Sequence, residues 1–220
     1  MSKPGVLDLR AKGIRIVAAD LQGPLDDLVK VLENTDVVIS TIHYQSLNDE
    51  ILLSKAAKVA GVSRYVPCFF ATVGPRGIMQ LRDKASLDTQ NVRRHSFTDN
   101  ISQKEEILDH INRIYLPYTV IDVGWWFQLT LPNIPSGRFD YALLAPSNTI
   151  LAGGNVPSAL TDVRDIGKYV AQVITDPRTL NRKIFVFTET RTQNQIFELV
   201  EKMTGEKPLK NEVKHTIRSM

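Results

Sequence analysis

The sequence contains very little cysteine and no long apolar run. Cys68 is the only cysteine among 220 residues, which excludes an internal disulfide framework and a cysteine metal cluster. No stretch approaches the roughly 20 apolar residues that a membrane-spanning helix requires, and residues 1–10 lack the apolar core of a signal peptide. These absences predict a cytoplasmic protein of a reducing compartment, without a membrane partner.

The charge balance is close to neutral and gives no sign of nucleic-acid binding. The chain has 27 lysines and arginines against 24 acidic residues, and its basic residues are spread along the sequence rather than clustered. Hydrophobic residues make up 43% of the chain, which is enough for one globular domain or a domain with a smaller lobe. We therefore expect a folded protein that does not contact nucleic acid directly.

Strand and helix signals alternate along the first half of the chain. The β-rich or apolar runs that predict strands lie at 14–19, 36–42, 64–66 and 118–123. The amphipathic runs that predict helices begin after Gly23-Pro24, at 47–60 and at 103–115. This alternation is typical of βαβ units, so the sequence predicts an α/β fold with a parallel sheet and helices on both faces.

Several polar or small residues come directly after predicted strands. Ligands of open parallel sheets bind beyond the carboxyl ends of the strands, so these residues would share one rim of the sheet. They are Asp20, Ser40, Thr41, Pro67, Cys68 and Gly124.

The second half is less regular and reads as a smaller lobe. Proline and glycine punctuate 131–159, a capped helix begins near Asp162, and 183–188 predicts a strand. Thr192 and Gln195 have the spacing of a capping box before a last helix that ends at Gly205.

Resemblance to a known family is carried by residues 2–4, 17–21, 36–41 and 62–67 and by the spacing of Lys104 and Pro117. These features resemble the NmrA-like and isoflavone-reductase-like proteins, which are atypical short-chain dehydrogenases. Residues 2–4 and 17–21 resemble the family's second helix and third strand, 36–41 reads DVVIST like its fourth strand, and 62–67 resembles its VKRFLP strand. Lys104 precedes Pro117 by 13 residues, the separation between the family's catalytic lysine and the proline of its GIPYT segment. The segments at 122–126 and 161–167 are similar to the fungal branch.

The resemblance implies a Rossmann-type fold, the cofactor NADP(H) and a small-molecule substrate. It implies that Lys104 is the general acid and base, although a solvated lysine beside Glu105 and Glu106 is the plain alternative. The residues that it places near the dinucleotide are Lys3, Asp20, Leu21, Ser40, Thr41, Ile42, Pro67, Cys68 and Phe69. For Asp20 and for 40–42 an ordinary turn or strand end is the alternative. Cys68 is either a reactive thiol or, more commonly for such a cysteine, a small buried hydrophobe.

The glycine-rich turn that holds the pyrophosphate in this family is missing from the sequence. No G-x-G-x-x-G pattern occurs in the 220 residues, and the family's first two strands have no counterpart. We therefore expect an incomplete Rossmann-type sheet, from a misassigned start codon or a truncated gene, with weak or lost NADP(H) binding. Without its neighbouring strands, 14–19 would pair with 36–42, or else the first 35 residues would be loosely held. The strand at 36–42 would become an exposed, apolar edge.

The segment 84–102 is polar and shows little periodicity, unlike its surroundings. The family passes directly from an LRD-like segment, here at 81–83, to a QKEE-like helix start at Gln103. A translated intron, a lineage-specific loop and an ordinary surface loop are all compatible with this composition.

These observations predict a dinucleotide-binding domain at 1–128 and a smaller substrate-binding lobe at 129–220. The predicted function is NADP-dependent reduction of a small aromatic or phenolic metabolite, with Trp125 and Trp126 either walling the pocket or packing in the core. PCFF at 67–70 replaces the family's PSEFG-like stretch, which leaves the substrate class open. The alternatives are a dinucleotide-sensing regulator with a protein partner and no turnover, or a non-functional fragment.

Overall fold

The computed structural model describes residues 3–71, 92–145 and 147–212. Within this part of the chain, residues 3–68 and 92–118 form one compact unit, which we call unit 1. Residues 69–71, 119–145 and 147–212 form a second compact unit, unit 2. The predicted domain boundary after residue 128 stays a prediction.

Unit 1 contains helices and two short parallel strands. Its elements are α1 Pro4–Ala11, α2 Leu25–Leu32, β1 Val37–Ile39, a 3-10 turn Tyr44–Ser46, α3 Asp49–Val59, β2 Arg64–Val66 and α4 Val92–Arg113. Strand β1 pairs in parallel with β2, with Val38 opposite Tyr65, and Tyr65 forms a further parallel bridge to Tyr118. The predicted strands at 36–42 and 64–66 are confirmed, as is the helix at 47–60.

The core of unit 1 forms where α3 packs against α2 and α4. Ala56 and Ala57 of α3 are fully buried, and small side chains at these positions allow neighbouring elements to approach closely. Helix α4 contributes Ile107 and Ile111, which are 1% and 0% exposed and lie one turn apart on one face. The apolar spacing in the sequence therefore determines which face of each helix is buried.

The predicted strand at 14–19 is wrong. Residues 14–20 form no strand in the described part of the chain, and the side chains of Ile14 and Val17 are 47% and 45% exposed. A β-rich run becomes a strand only where a neighbouring strand pairs with its N–H and C=O groups. The alternative pairing of 14–19 with 36–42 is likewise not observed, because β1 pairs with β2 alone among the described residues. Ile39 of β1 is 39% exposed, and the exposed edge expected at 36–42 stays a prediction.

Helix α4 begins eleven residues before the predicted start at Gln103. Residues 92–102 are helical although their sequence is polar and lacks an apolar stripe. An apolar stripe signals a buried face, whereas the helical backbone needs only local hydrogen bonds and compatible side chains, so its absence does not exclude a helix. Residues 84–91 of the suspected insert lie outside the described residues.

Unit 2 contains three separate sets of paired strands. Its elements are β3 Thr119–Asp122, β4 Trp125–Trp126, α5 Phe127–Thr130, β5 Thr149–Ile150, β6 Ser158–Thr161, α6 Val163–Thr175, β7 Arg182–Phe185, β8 Glu189–Arg191, α7 Gln193–Thr204 and β9 Asn211–Glu212, with 3-10 turns at Asp140–Ala142, Ala152–Gly154 and Pro177–Thr179. Strands β3 and β7 are parallel, β4, β6 and β8 form a mixed sheet in that order, and β5 pairs in parallel with β9. The predicted strands at 118–123 and 183–188 are confirmed as β3 and β7.

The helix caps predicted in the second half are confirmed. Asp162 caps α6 by accepting a hydrogen bond from the Arg164 N–H at 2.8 Å. Thr192 and Gln195 form the capping box of α7, and Gly205 ends that helix in the left-handed conformation. Local hydrogen bonding fixes such caps, which explains why sequence alone predicted them.

Gly124 shows a close approach that no other residue type would permit. Its φ is +66°, and a Cβ atom at this position would lie 2.5 Å from the carbonyl oxygen of Ala159. The turn between β3 and β4 therefore requires glycine, because β6 passes directly against it.

Among the described residues, no helix is long and apolar enough to cross a membrane.

Candidate functional site

Two segments of unit 1 lie side by side at the carboxyl ends of β1 and β2. We call them the rim segments, residues 40–42 after β1 and residues 67–68 after β2. The Ser40 N–H donates to the Val66 carbonyl oxygen at 2.9 Å, which continues the strand pairing by one residue. The Cys68 thiol donates to the Ile42 carbonyl oxygen at 3.2 Å. The structure therefore brings together the residues that the sequence placed at the ends of these two strands.

A buried carboxyl group connects the rim segments to α3. Glu50, in the first turn of α3, is 0% exposed. Its Oε1 accepts a hydrogen bond from the Cys68 N–H at 2.9 Å, and its Oε2 accepts one from the Tyr65 hydroxyl. Burial raises the pKa of Glu50, and the hydrogen bonds that it receives lower the pKa by less than burial raises it.

Ser40 lies against this carboxyl group without completing a hydrogen bond. Its side chain is 3% exposed, and its Oγ makes no hydrogen bond of acceptable distance and angle among the described residues. It is nevertheless close enough to Glu50 and Tyr65 to lower the pKa of both groups. A buried hydroxyl with unused hydrogen-bonding capacity thus stands at the end of β1.

Tyr65 retains its proton in this environment. Its side chain is fully buried, and burial raises its pKa, with the negative charge of Glu50 raising it further. The phenol is therefore the hydrogen-bond donor to Glu50 across the neutral pH range.

The environment of Cys68 makes its thiol a poor nucleophile. Burial raises the pKa of Cys68 to about 11, with Glu50 raising it further and Lys104 lowering it. Because the thiolate is the nucleophilic form, this thiol is largely unreactive at neutral pH. Of the two interpretations left open by the sequence, the structure supports the small buried side chain.

Lys104 is buried on the side of α4 that faces the core of unit 1. Its side chain is only 9% exposed, and Ile107, Leu108 and Ile111 on the same face are buried as well. The positive charge of Lys104 influences the Cys68 thiol, which places it within electrostatic range of the rim segments. The alternative of a solvated lysine is not observed, whereas the catalytic role of Lys104 stays a prediction.

The predicted residues near the amino terminus are arranged differently. Lys3 is exposed, and none of the described hydrogen bonds joins it to the rim segments. Asp20 is exposed and accepts a hydrogen bond from the Gln22 N–H at 3.0 Å, as in an ordinary turn. The Gln22 side chain donates to Asp49 at 3.2 Å, so the turn that contains Leu21 lies at the start of α3.

The remaining predicted positions differ in their burial. Thr41 is exposed and Ile42 is half-buried, whereas Pro67 is buried. Phe69 is fully buried and belongs to unit 2, where the Trp126 indole N–H donates to the Phe70 carbonyl oxygen at 2.7 Å. Trp126 thus fixes the backbone of 69–71, while Trp125 in β4 is 37% exposed.

Sequence reasoning missed Glu50 and Tyr65. The signal for Glu50 was present, because Leu53, Ser54 and Ala57 follow it at helical spacings of three, four and seven residues and are all buried. A carboxyl group on the buried face of a helix is rare unless it is hydrogen-bonded. The partners themselves could not be identified from the sequence, since they lie 15 and 18 residues away, in β2 and in the segment that follows it.

Comparison with curated proteins relates this chain to reductases and dehydrogenases. It is 46% identical to the asnovolin J 5′,6′-dehydrogenase nvfM of Aspergillus novofumigatus over 94% of this chain and 59% of that protein. It is 29% identical to the isoflavone reductase homolog P3 of Arabidopsis thaliana over 88% of this chain and 59% of that protein. The chain therefore spans less than two thirds of the length of these relatives.

Solved structures share the fold. A structure titled AtPrR2 with NADP+ and (+)pinoresinol matches with a TM-score of 0.73 and 24% identity, over 94% of this chain and 64% of that one. The leucoanthocyanidin reductase–NADPH complex of Vitis vinifera matches with a TM-score of 0.71 and 22% identity, over 94% of this chain and 66% of that one. The predicted α/β fold of Rossmann type is thereby confirmed.

The family itself is established by a match along almost the entire sequence. The profile of the NmrA-like family matches residues 1–218, which confirms the resemblance predicted from the DVVIST-like and VKRFLP-like segments. This chain belongs to the NmrA-like family.

Proposed function

We propose that this chain serves the NADP(H)-dependent reduction of a small aromatic or phenolic metabolite, with Lys104 as general acid and base. The observation that carries the proposal is the burial of Lys104, at 9% exposure, within electrostatic range of Cys68 at the rim. A partly buried amine, whose charge its surroundings can modulate, is suited to proton transfer. In this proposal the nicotinamide supplies hydride, and Lys104 hydrogen-bonds the substrate oxygen and moves its proton.

The relatives support this class of reaction. The names of the curated proteins describe isoflavone-reductase homologs and a dehydrogenase, and the matching structures were determined with NADP+ or NADPH. Because both reductases and a dehydrogenase occur among them, hydride transfer should be assayed in both directions. The substrate panel should include pinoresinol-type phenols and asnovolin-type compounds.

The residues at the rim fit the nicotinamide part of a dinucleotide better than the pyrophosphate part. At the rim, the buried Ser40 hydroxyl has unused hydrogen-bonding capacity and Lys104 lies nearby, which suits the nicotinamide side. A pyrophosphate needs successive backbone amides of a glycine-rich turn at a helix start. No such turn precedes α1, α2 or α3 in the described part of unit 1, where Gly23 before α2 packs against Asp20. We therefore propose weak NADP(H) binding for the 220-residue polypeptide.

Dinucleotide titration tests the binding half of this proposal. NADPH and NADP would be titrated into the purified chain, and into the same chain extended by the codons that precede Met1 in the genome. We expect affinity weaker than about 1 mM for the 220 residues and about 1–100 μM for the extended polypeptide, the usual range for enzyme ligands. Micromolar binding by the 220 residues alone would contradict weak binding.

A substitution at Lys104 tests the catalytic half. In the polypeptide that binds NADPH, Lys104→Met should lower substrate-dependent NADPH oxidation by about 10²–10⁴-fold, because it removes the general acid and base. NADPH affinity should change by less than about threefold. Lys55→Met, at an exposed position of α3, is the matched control and should leave the rate unchanged.

The same experiment identifies the alternative function. A polypeptide that binds dinucleotide but shows no turnover, and that binds equally well after Lys104→Met, would be a dinucleotide-sensing regulator with a protein partner. That outcome would end the reductase proposal, because a sensor needs the dinucleotide site but not the proton donor.

A further inference from the structure

We propose that Glu50 is a positioning residue, whose buried carboxyl group fixes the backbone of both rim segments at the carboxyl ends of β1 and β2. The proposal rests on the proposed function in one respect, since that function makes this rim the cofactor edge. The positioning itself can be measured without any cofactor.

The geometry shows three parts of unit 1 meeting at one side chain. Glu50 comes from the first turn of α3, Tyr65 from the middle of β2, and Cys68 from the rim segment after β2. One carboxyl oxygen accepts from the Tyr65 hydroxyl and the other accepts from the Cys68 backbone N–H. A carboxyl group that accepts from both a strand side chain and a rim amide constrains the rim relative to the strand.

The second rim segment is connected to the first through Cys68. The Cys68 thiol donates to the Ile42 carbonyl oxygen, so the residue whose N–H is held by Glu50 also holds the segment after β1. The Ser40 hydroxyl lies against the same carboxyl group. Displacing Glu50 should therefore loosen residues 40–42 as well as residues 67–68.

The cost of this arrangement argues against an incidental contact. Glu50 is fully buried, and no cationic side chain pairs with it among the described residues. Burying an ionisable group without a counter-charge is costly, and a leucine would fill the same helix position without that cost. The carboxyl group supplies what leucine lacks, two acceptors that point to different elements.

Amide hydrogen exchange of two variants tests this proposal. Glu50→Leu removes both acceptors at similar volume, whereas Glu50→Gln keeps one carbonyl acceptor for the Cys68 amide. Exchange would be measured by NMR for Cys68 and by mass spectrometry for peptides that cover the rim segments. Glu201→Gln, an exposed position of α7 in unit 2, is the matched control.

We expect Glu50→Leu to raise the exchange rate of the Cys68 amide by about tenfold, because the amide loses its hydrogen bond to a polar acceptor. Glu50→Gln should remain within about threefold of wild type, because the amide keeps its acceptor. Exchange equal to wild type in Glu50→Leu, or an equal rise in both variants, would overturn the proposal. If Glu50→Leu does not fold, amide exchange of the wild-type chain provides the test. A wild-type Cys68 amide that exchanges without protection would overturn the proposal, because positioning requires that its hydrogen bond to Glu50 is held.

A second readout separates this proposal from the proposed function. In the extended polypeptide, Glu50→Leu should weaken NADPH binding by about tenfold and Glu50→Gln should restore it to within about threefold. If wild type does not bind NADPH while the exchange result holds, the proposed function fails and the positioning role stands. If NADPH binds equally well to all variants while exchange rises, the rim is not the cofactor edge, which contradicts the proposed function there, whereas the positioning role stands.

Discussion

The two units bury different kinds of polar residue. In the described part of unit 1, one acidic and two basic side chains are buried, Glu50, Arg64 and Lys104, together with two serines. In the described part of unit 2, the buried polar side chains are all threonines, namely Thr119, Thr161 and Thr179. Among the described residues, unit 1 therefore buries charged side chains and serines, whereas the polar side chains that unit 2 buries are neutral threonines.

Each buried threonine of unit 2 donates a hydrogen bond to a backbone carbonyl oxygen. Thr119 donates to the Thr179 carbonyl oxygen at 3.0 Å, Thr161 to the Val123 carbonyl oxygen at 2.8 Å, and Thr179 to the Val173 carbonyl oxygen at 2.7 Å. A neutral hydroxyl that satisfies one backbone carbonyl is inexpensive to bury. These contacts join strands and helix ends and require no further function to explain them.

The ionised groups of unit 2 lie at its surface instead. Asp162 pairs with Arg164 and Asp165 with Lys168, each at 2.6 Å, and the arginine and lysine side chains are 82% and 76% exposed. Such pairs contribute little because water and salt screen them. Burial of charge is thus confined to unit 1 among the described residues. Glu50 and Lys104, unlike Arg64 at the start of β2, act on Cys68 at the strand ends where the family resemblance placed the cofactor.

The largest expected effect is a loss of stability when the buried carboxyl group of unit 1 is removed. Glu50→Leu should lower the free energy of unfolding by about 2–3 kcal/mol, because the Tyr65 hydroxyl and the Cys68 amide lose their acceptor in the interior. Chemical denaturation measures the change, with Glu201→Gln as a control that should stay at the wild-type value. Wild-type stability in Glu50→Leu would show that the buried carboxyl group contributes nothing to the fold.

A smaller effect is expected in the pH dependence of stability, because Glu50 of unit 1 titrates whereas the buried threonines of unit 2 do not. Burial raises the pKa of Glu50 above its ordinary value of 4.5, so its protonated form favours the folded state. That contribution is fully present below pH 4.5 and is lost as pH rises through the folded-state pKa. Relative to Glu50→Gln, wild type should therefore lose stability as pH rises above 4.5 and through the raised folded-state pKa of Glu50.

Denaturation of both proteins across this pH range tests that expectation. The difference in unfolding free energy between wild type and Glu50→Gln should change in favour of the glutamine variant as pH increases. A difference that stays constant with pH would mean that the folded chain does not perturb Glu50. Glu201→Gln provides the baseline for an exposed carboxyl group.

The smallest expected effect concerns unit 2. Thr161→Val keeps the shape of a buried side chain but removes its hydrogen bond to the Val123 carbonyl oxygen, which should cost about 1 kcal/mol. The loss should be independent of pH, because threonine does not titrate. A loss as large as that of Glu50→Leu would remove the distinction between the two units.

Prediction from sequence succeeded where structure is determined locally. The capping box of α7, the cap at Asp162 and the strands β1, β2, β3 and β7 all carry their signals within a few residues. It failed at 14–19, because strand formation depends on a partner elsewhere in the chain. It also missed β4, β6 and β8, which pair with one another across distant parts of the chain.

The sequence by itself determined the family, the parallel arrangement of β1 and β2, and the positions of Ser40, Cys68 and Lys104 relative to the strand ends and α4. These follow from periodicity, caps and motif spacing, which are properties of neighbouring residues. Tertiary structure alone decided that Lys104 is buried and that Glu50, Tyr65 and Cys68 share one hydrogen-bonded cluster. Burial and hydrogen bonding across elements depend on which distant segments meet, and no local pattern encodes the distance between them.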